Sequence, residues 1–302
     1  MGTFFLKKGP QERNMSDFNK EYFIELYMPL LEAALRDAPN GERWKGILTE
    51  DGAVTRLHLI CDSLIDNAKR FNLTAIVEPS AVVEKHIIDS LLPLVYIEGA
   101  VEGVFLGDDA SGEDISRKIT KRMIDVGAGA GFPSLPLGSI LCDRGYKILA
   151  VDSTAKKVRH IAETAERIGI SRSFQAISAR AEDLAHGNMG AKSEKAANAA
   201  HNKLRESFGI ATARAVAALP VLVELCGAFV EVGGYFASMK GKSDEEIALA
   251  ANGAKKMGFE TCQKIEYCLP CGDTRSIALY RKIRRTEIIY PRPFAKITAK
   301  PL

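Results

Sequence analysis

The chain has 302 residues, 46% of them hydrophobic, and a formal net charge of +3 at pH 7. It can therefore bury a full core, and the length fits one large domain with a smaller one appended. So mild a charge identifies no partner, and no apolar run approaches the roughly 20 residues that span a membrane.

The opening "MGTFFLKKGP" has neither the long apolar region nor the small-residue cleavage site of a signal peptide. Gly2 alone suggests myristoylation, but Leu6 stands where that motif wants Ser or Thr. The six cysteines are scattered, which points to reduced thiols in a cytosolic protein. A cytoplasmic location and no membrane partner are therefore expected.

Residues 17–35 space Phe18, Tyr22, Leu26, Leu30 and Ala33 along one side of a helix. Further helices are expected over 54–69 and 81–95, with "RFNLTAI" (70–76) between them. Residues 1–98 thus read as a small helical N-terminal subdomain. A polar connector, 99–118, follows and contains the acidic stretch "GDDASGED".

Beyond the connector, strands and helices alternate, as in a mainly parallel sheet. Seven strands are expected at 121–127, 147–153, 173–178, 208–213, 234–240, 259–268 and 274–283. Helices are expected near 132–143, 154–169, 180–186, 215–232 and 243–257. The polar, Ala-rich segment 187–206 interrupts this rhythm as a surface excursion. No solenoid-period repeat is present. The segment from Arg281 to Leu302 carries seven Lys or Arg against one acid, Glu287.

The stretch "IDVGAGAGFPSLPL" (124–137) places Gly127, Gly129 and Gly131 at alternate positions after an apolar run. Glycines so placed let a ligand approach the backbone closely. The dinucleotide fingerprint G-x-G-x-x-G is not met, because its last position is Phe132. Asp125, two residues before the first glycine, opposes a pyrophosphate at a helix N-terminus. It suits S-adenosylmethionine, which has no phosphate and carries an ammonium and a sulfonium.

Asp152 ends the second strand, where nucleotide-binding folds grip ribose hydroxyls. After the third strand, Ala181 and Glu182 in "ARAED" offer a backbone and an acid to an adenine edge. The plain alternative is that Asp152 and Glu182 cap the following helices. "GKS" (241–243) ends like a P-loop, but Phe236 occupies the glycine position five residues earlier.

These motifs resemble the bacterial small-subunit (16S) ribosomal RNA guanine-N7 methyltransferases, once called glucose-inhibited division protein B. The resemblance runs from about Arg70 to Leu302 and rests on "NLTAI" (72–76), "KHIIDSL" (85–91), "DVGAGAGFPSLPL" (125–137), "VDSTAKKV" (151–158), "ARAEDL" (179–184), "ARAVAAL" (213–219), "GGYFASMKG" (233–241) and the tail "YPR" to "AKPL". It implies a class I (Rossmann-like) α/β methyltransferase, with a seven-stranded mainly parallel sheet in 119–302 behind the helical subdomain. S-adenosyl-L-methionine is the implied cofactor, contacted by Gly127, Phe132, Ala181, Glu182 and Arg214. The implied partner is 16S ribosomal RNA, naked or in an assembling small subunit. Ser134 stands where a glycine is usual and Val151 where a leucine is, and the loops 99–118 and 187–206 are longer than the family's norm.

The chemistry is compatible. Guanine N7 has an in-plane lone pair and no proton, so methylation is a direct displacement needing alignment rather than a general base. The Asn/Asp-Pro-Pro-aromatic turn of amino-group methylation is missing; that place reads "ATARAVAALP". So is the cysteine nucleophile of cytosine C5 methylation; Pro270–Cys271 falls near the sixth strand instead.

Arg214 is the leading positioning candidate, its alternative being a solvent-facing residue at a helix start. His86 and Asp89, one helical turn apart, either orient the base or are structural. Asn72 and Thr74 face the same choice as substrate contacts or turn residues. Lys240, at the fifth strand's end, is placed to meet a phosphate. The tail with Tyr290, Arg292 and Phe294 can lie along an RNA backbone or simply be solvated. Cys262, Cys268 and Cys271 give three thiols without a nearby fourth ligand, so no metal site is expected. Methylation of another RNA base or of a small molecule, and cofactor-bound RNA binding without turnover, stay open from the residues alone.

Overall fold

The computed structural model describes residues 18–71, 73–107, 119–187 and 204–302. Seven strands, β1 (Arg122–Val126), β2 (Lys147–Asp152), β3 (Phe174–Ser178), β4 (Phe208–Arg214), β5 (Val230–Lys240), β6 (Gln263–Cys268) and β7 (Thr274–Arg281), form one sheet. Their order is β3-β2-β1-β4-β5-β7-β6. Strands β1 to β5 pair in parallel, and β7 runs antiparallel to both β5 and β6. The class I methyltransferase fold and the mainly parallel sheet expected from the sequence are therefore present.

The central strands are largely apolar because helices cover both faces. In β4 every residue from Phe208 to Ala213 is buried. Strand β5 starts earlier than expected: Val230 pairs with Phe208, the register shifts, and Tyr235 pairs with Ile210. Gly233, at φ +94°, makes that irregularity possible.

On one face lie α1 (Lys20–Leu35), α2 (Gly41–Leu48), α3 (Asp51–Phe71), α4 (Pro79–Val82), a π-helical turn (Val83–Ile88), α5 (Asp89–Ala100), α6 (Ser134–Leu141) and α7 (Ala155–Arg167). Asn19 starts α1 by accepting a 2.9 Å hydrogen bond from the Tyr22 amide. One apolar cluster joins Tyr27, Trp44 and Leu91 of the N-terminal helices to Ile148 and Phe174 of the sheet. Arg56 of α3 donates to the Ser139 carbonyl at 2.8 Å, and Arg167 of α7 donates to Ser63 Oγ at 2.9 Å.

The short α8 (Ala181–Ala185) follows β3, and the opposite face carries α9 (Leu219–Gly227) and α10 (Asp244–Met257). Their cluster includes Leu222, Phe229, Met257 and Tyr280. The helix expected over 215–232 is shorter at both ends: 215–218 stay irregular, and Ala215 has a positive φ of 54°. Among the described residues no helix is long and apolar enough to cross a membrane.

The basic C-terminal segment folds back onto the sheet instead of extending away from it, ending in α11 (Phe294–Ala299) with Ile297 fully buried. Lys282 is itself buried and donates to Thr286 Oγ1 at 2.7 Å. Arg292 clasps the buried Glu224, with Nη2 to Oε2 at 2.7 Å and its backbone amide to Oε1 at 2.8 Å. Arg292, expected as an RNA contact, is therefore a packing residue: a buried carboxylate on α9 claims its charge.

Candidate functional site

In an open α/β sheet a ligand crevice forms where the strand order reverses, outside the carboxyl ends of the strands. Here that point lies between β1 and β4, and a cavity of ≈ 490 Å³ opens there. Its walls come from the turn Gly127–Phe132 after β1, Asp152 to Thr154 after β2, Ala179 to Glu182 after β3, and Arg214 to Val216 after β4. Thr74 and His86 reach it from the helical N-terminal region. The size suits a cofactor-class ligand.

The glycine turn is closed on itself. The Gly127 and Ala128 amides donate to the Val151 carbonyl at 2.8 and 2.9 Å, and the Gly131 and Phe132 amides to the Ala128 carbonyl at 2.8 and 3.2 Å. The Gly129 amide donates to Asp152 Oδ2 at 2.9 Å. Phosphate-binding turns leave such N–H groups free to point at the anion. This turn has spent them, so the residues fit a nucleoside ligand without phosphate better than a dinucleotide.

The three glycines do different things. Gly127, at φ +77°, lies so close to the Val216 side chain that any Cβ would overlap it. Gly129, at φ +60°, lines the cavity with space around it. Gly131, at φ +94°, does not line the cavity; a Cβ there would overlap Leu135 in the core. Gly131, expected among the ligand contacts, is a packing glycine.

Asp125 departs from expectation in the same way. It is fully buried beneath the turn, outside the cavity lining, and accepts a hydrogen bond from Thr212 Oγ1 at 3.0 Å. Burial raises its carboxyl to about 6. Two residues before the first glycine the chain is still inside a strand covered on both faces, so this side chain meets β4 and not the ligand.

Asp152 does line the cavity. Its Oδ1 accepts from the Thr154 amide at 2.8 Å while Oδ2 holds Gly129. A carboxylate has about four acceptor sites, so it retains capacity for hydroxyl donors. Ala181 and Glu182 face the cavity from the start of α8, with Arg180 3.8 Å from Glu182.

Opposite them stands a packed cationic–aromatic group. His86 stacks on Phe132 with ring centroids 4.7 Å apart, and the Arg214 guanidinium lies 5.8 Å from the same ring. Arg214 donates to the Lys85 carbonyl and to Asp89 Oδ2, both at 3.3 Å, and to His86 Nδ1 at 3.5 Å. Arginine only donates, so Nδ1 is the acceptor and the proton of the neutral ring sits on Nε2, 3.1 Å from Thr74 Oγ1. Burial and the Arg214 charge lower His86 to about 4. The π-helical turn Val83–Ile88 carries His86 into this arrangement, and such turns often sit at functional sites.

Asp89 lies between two guanidiniums, with Arg275 Nε donating to its Oδ1 at 3.1 Å. Burial raises the Asp89 carboxyl from its ordinary value, against the pull of Arg214 and Arg275. Arg275, on β7, was not singled out in the sequence, where nothing marks it among the other surface arginines.

Lys240 is tied up. Its Nζ donates to the Ala217 carbonyl at 2.7 Å and pairs with Glu246 at 2.9 Å. It braces the loop after β4 and lies outside the cavity lining, so the expected phosphate contact is not where Lys240 is spent. Asn72 lies outside the described residues. No cluster of His, Cys, Asp and Glu suited to a metal occurs among the described residues.

The family described as rRNA small subunit methyltransferase G (GidB) matches residues 54–273. The ribosomal RNA small subunit methyltransferase G of Pelotomaculum thermopropionicum is 35% identical over 254 residues, covering 83% of this chain and 92% of that protein. That of Alkaliphilus metalliredigens is 32% identical over 259 residues, covering 85% and 94%. Among solved structures, the N-terminal domain of human METTL16 in complex with SAH aligns with a TM-score of 0.47 at 14% identity, covering 77% of this chain and 83% of that one.

Proposed function

The chain belongs to the rRNA small subunit methyltransferase G family and is an S-adenosylmethionine-dependent rRNA methyltransferase, and we propose that its target is N7 of a guanine in 16S ribosomal RNA. Bound in the cavity, the cofactor supplies an electrophilic methyl group on a sulfonium. In this reading Asp152 receives the ribose hydroxyls, and the Ala181 backbone with Glu182 addresses the adenine edge. Gly127 and Gly129 permit close approach along the turn. Phe132 and Arg214 flank the methionine end. In the same reading 119–302 is the catalytic domain, and the helical region before it, within residues 20–100, lends Thr74 and His86 to it.

The observation that carries the N7 assignment is the state of His86. Its Nδ1 accepts from Arg214 and its Nε2 faces Thr74, and its depressed affinity for protons keeps it neutral near pH 7. The imidazole is built to hold a position rather than to take a proton. Guanine N7 needs just that, since its lone pair attacks without losing a proton, and alignment alone contributes much of the rate. Arg214 adds a fixed positive charge beside the cavity that favours an electron-rich edge or a phosphate.

The substrate of this reading is 16S RNA, naked or in an assembling small subunit. Methyl transfer from labelled S-adenosylmethionine to naked 16S RNA and to assembling particles tests it. Label entering small-subunit RNA supports the reading, with the preferred form showing which substrate is used. Label entering only another RNA or a small molecule, or cofactor binding without turnover, contradicts it.

A further inference from the structure

We propose that Phe294, with the C-terminal segment that holds it, forms the adenine-side wall of the cofactor cavity. The inference rests on the methyltransferase reading and extends it to a residue beyond the 54–273 matched by the family. Phe294 lines the cavity together with Ala181 and Glu182. A second cavity, ≈ 590 Å³, shares Phe294, Arg180 and Glu182 with the first and is otherwise walled by Ile289 and Pro291 among others. Phe294 thus sits at the Glu182 end of the site, away from His86 and Phe132.

Its exposure has no explanation in folding. The ring is 36% exposed, whereas Ile297, three residues on in the same short helix, is fully buried and supplies that helix's hold on the core. The segment before the ring is nevertheless fixed. His186 Nε2 donates to the Pro291 carbonyl at 2.7 Å, Arg205 donates to the Tyr290 carbonyl at 2.7 Å, and Arg292 clasps Glu224. An aromatic ring presented rigidly at the mouth of a cavity loses little further entropy on meeting a ligand.

Adenine suits that place. It has two apolar π faces and a polar edge, and the site offers an aromatic face from Phe294 beside polar groups at Ala181 and Glu182. Base–aromatic stacking changes affinity by a factor of roughly ten or more. The anchored residues Tyr290, Pro291 and Arg292 then serve to hold the ring at the cofactor, and the clasp of Arg292 on Glu224 gains a purpose besides stability.

The test is titration of S-adenosylhomocysteine into the full chain by calorimetry, with the melting temperature of each unliganded variant as a second readout. Phe294→Ala should bind about tenfold more weakly, Phe294→Tyr should bind as the wild type does, and both should melt with the wild type. Ile288→Ala, an exposed neighbour outside both cavities, should bind normally. Unchanged affinity in Phe294→Ala overturns the proposal, as does a loss that Phe294→Tyr or Ile288→Ala shares. Failure of the wild type itself to bind S-adenosylhomocysteine would overturn the underlying cofactor reading, a result distinct from the variant pattern.

Discussion

His86 lies flat against Phe132, with planes inclined by 23°, and its Nδ1 faces Arg214. Since the histidine is held below its ordinary value, at about 4, it carries no charge near neutrality. Methyl transfer should stay level as pH rises above 6.5. A rise through the neutral range with the slope of a single deprotonation would mean that a general base takes part after all.

The same depressed value fixes a stability trend. Between pH 6.5 and about 4 the unfolded chain binds a proton at His86 that the folded chain refuses. This contribution is complete above 6.5 and is lost as the pH falls through that window. His160, also held near 4 by burial, acts in the same direction, while Asp125, raised to about 6, opposes them. Urea midpoints measured from pH 7 down to 4 should fall less steeply for His86→Gln than for the wild type.

Substitutions at two glycines of the turn should separate binding from folding. Gly127→Ala strains a backbone at φ +77° by about 1–2 kcal/mol, but it presses only on the half-exposed Val216, which can move, so the fold survives while cofactor affinity drops about tenfold or more. Gly127→Asp should abolish binding. Gly131→Ala meets the fully buried Leu135 at a positive φ, and should cost about 2–4 kcal/mol of stability. Equal effects of the two alanines on cofactor titration and denaturant unfolding would remove this distinction.

Asp89 bridges Arg214 and Arg275. Asp89→Asn leaves the Arg214 guanidinium without its carboxylate, while Arg275 keeps Asp273 at 3.4 Å, and should destabilise the fold by about 3 kcal/mol. Arg275→Gln leaves the Arg214 contact intact and should cost about 1 kcal/mol. Chemical denaturation with both variants checks the order, which the network requires even if the sizes shift.

The C-terminal segment gives a contrast between docked and exposed cations. Arg292→Gln takes the guanidinium from the buried Glu224, which keeps the backbone amide of residue 292, and should cost about 3 kcal/mol. Arg285 has a side chain 87% exposed. If it meets RNA backbone, Arg285→Gln should flatten the salt dependence of RNA affinity by about one unit of slope. Filter binding over a salt series, beside thermal melts, distinguishes the two.

The alternation of apolar strands and amphipathic helices after residue 119 was legible because central strands buried on both faces leave continuous apolar runs, and all seven were found. The helix carrying His86 was found too, but not its π-helical turn, since an extra residue in a helix leaves no mark in periodicity. The missed cases share one cause. Asp125, Gly131, Lys240 and Arg292 are of a type and in a place that suit a ligand, yet each is claimed by a partner distant in the sequence or by the core. Arg292 and Glu224 are 68 residues apart, and nothing local shows that a buried carboxylate awaits the arginine. Phe294 went the other way. It read as part of a basic tail, and only the folding back of that tail brings it to the cavity.

Methylation at N7 leaves a positively charged guanine that borohydride reduces and aniline then cleaves, which no methylation on an exocyclic amino group or ribose does. The decisive measurement treats 16S RNA methylated by this protein in that way and maps the break by primer extension. A single enzyme-dependent stop at one guanine is the expected result, abolished by Gly127→Asp. Label incorporated into the RNA with no cleavage at any guanine would contradict the N7 assignment.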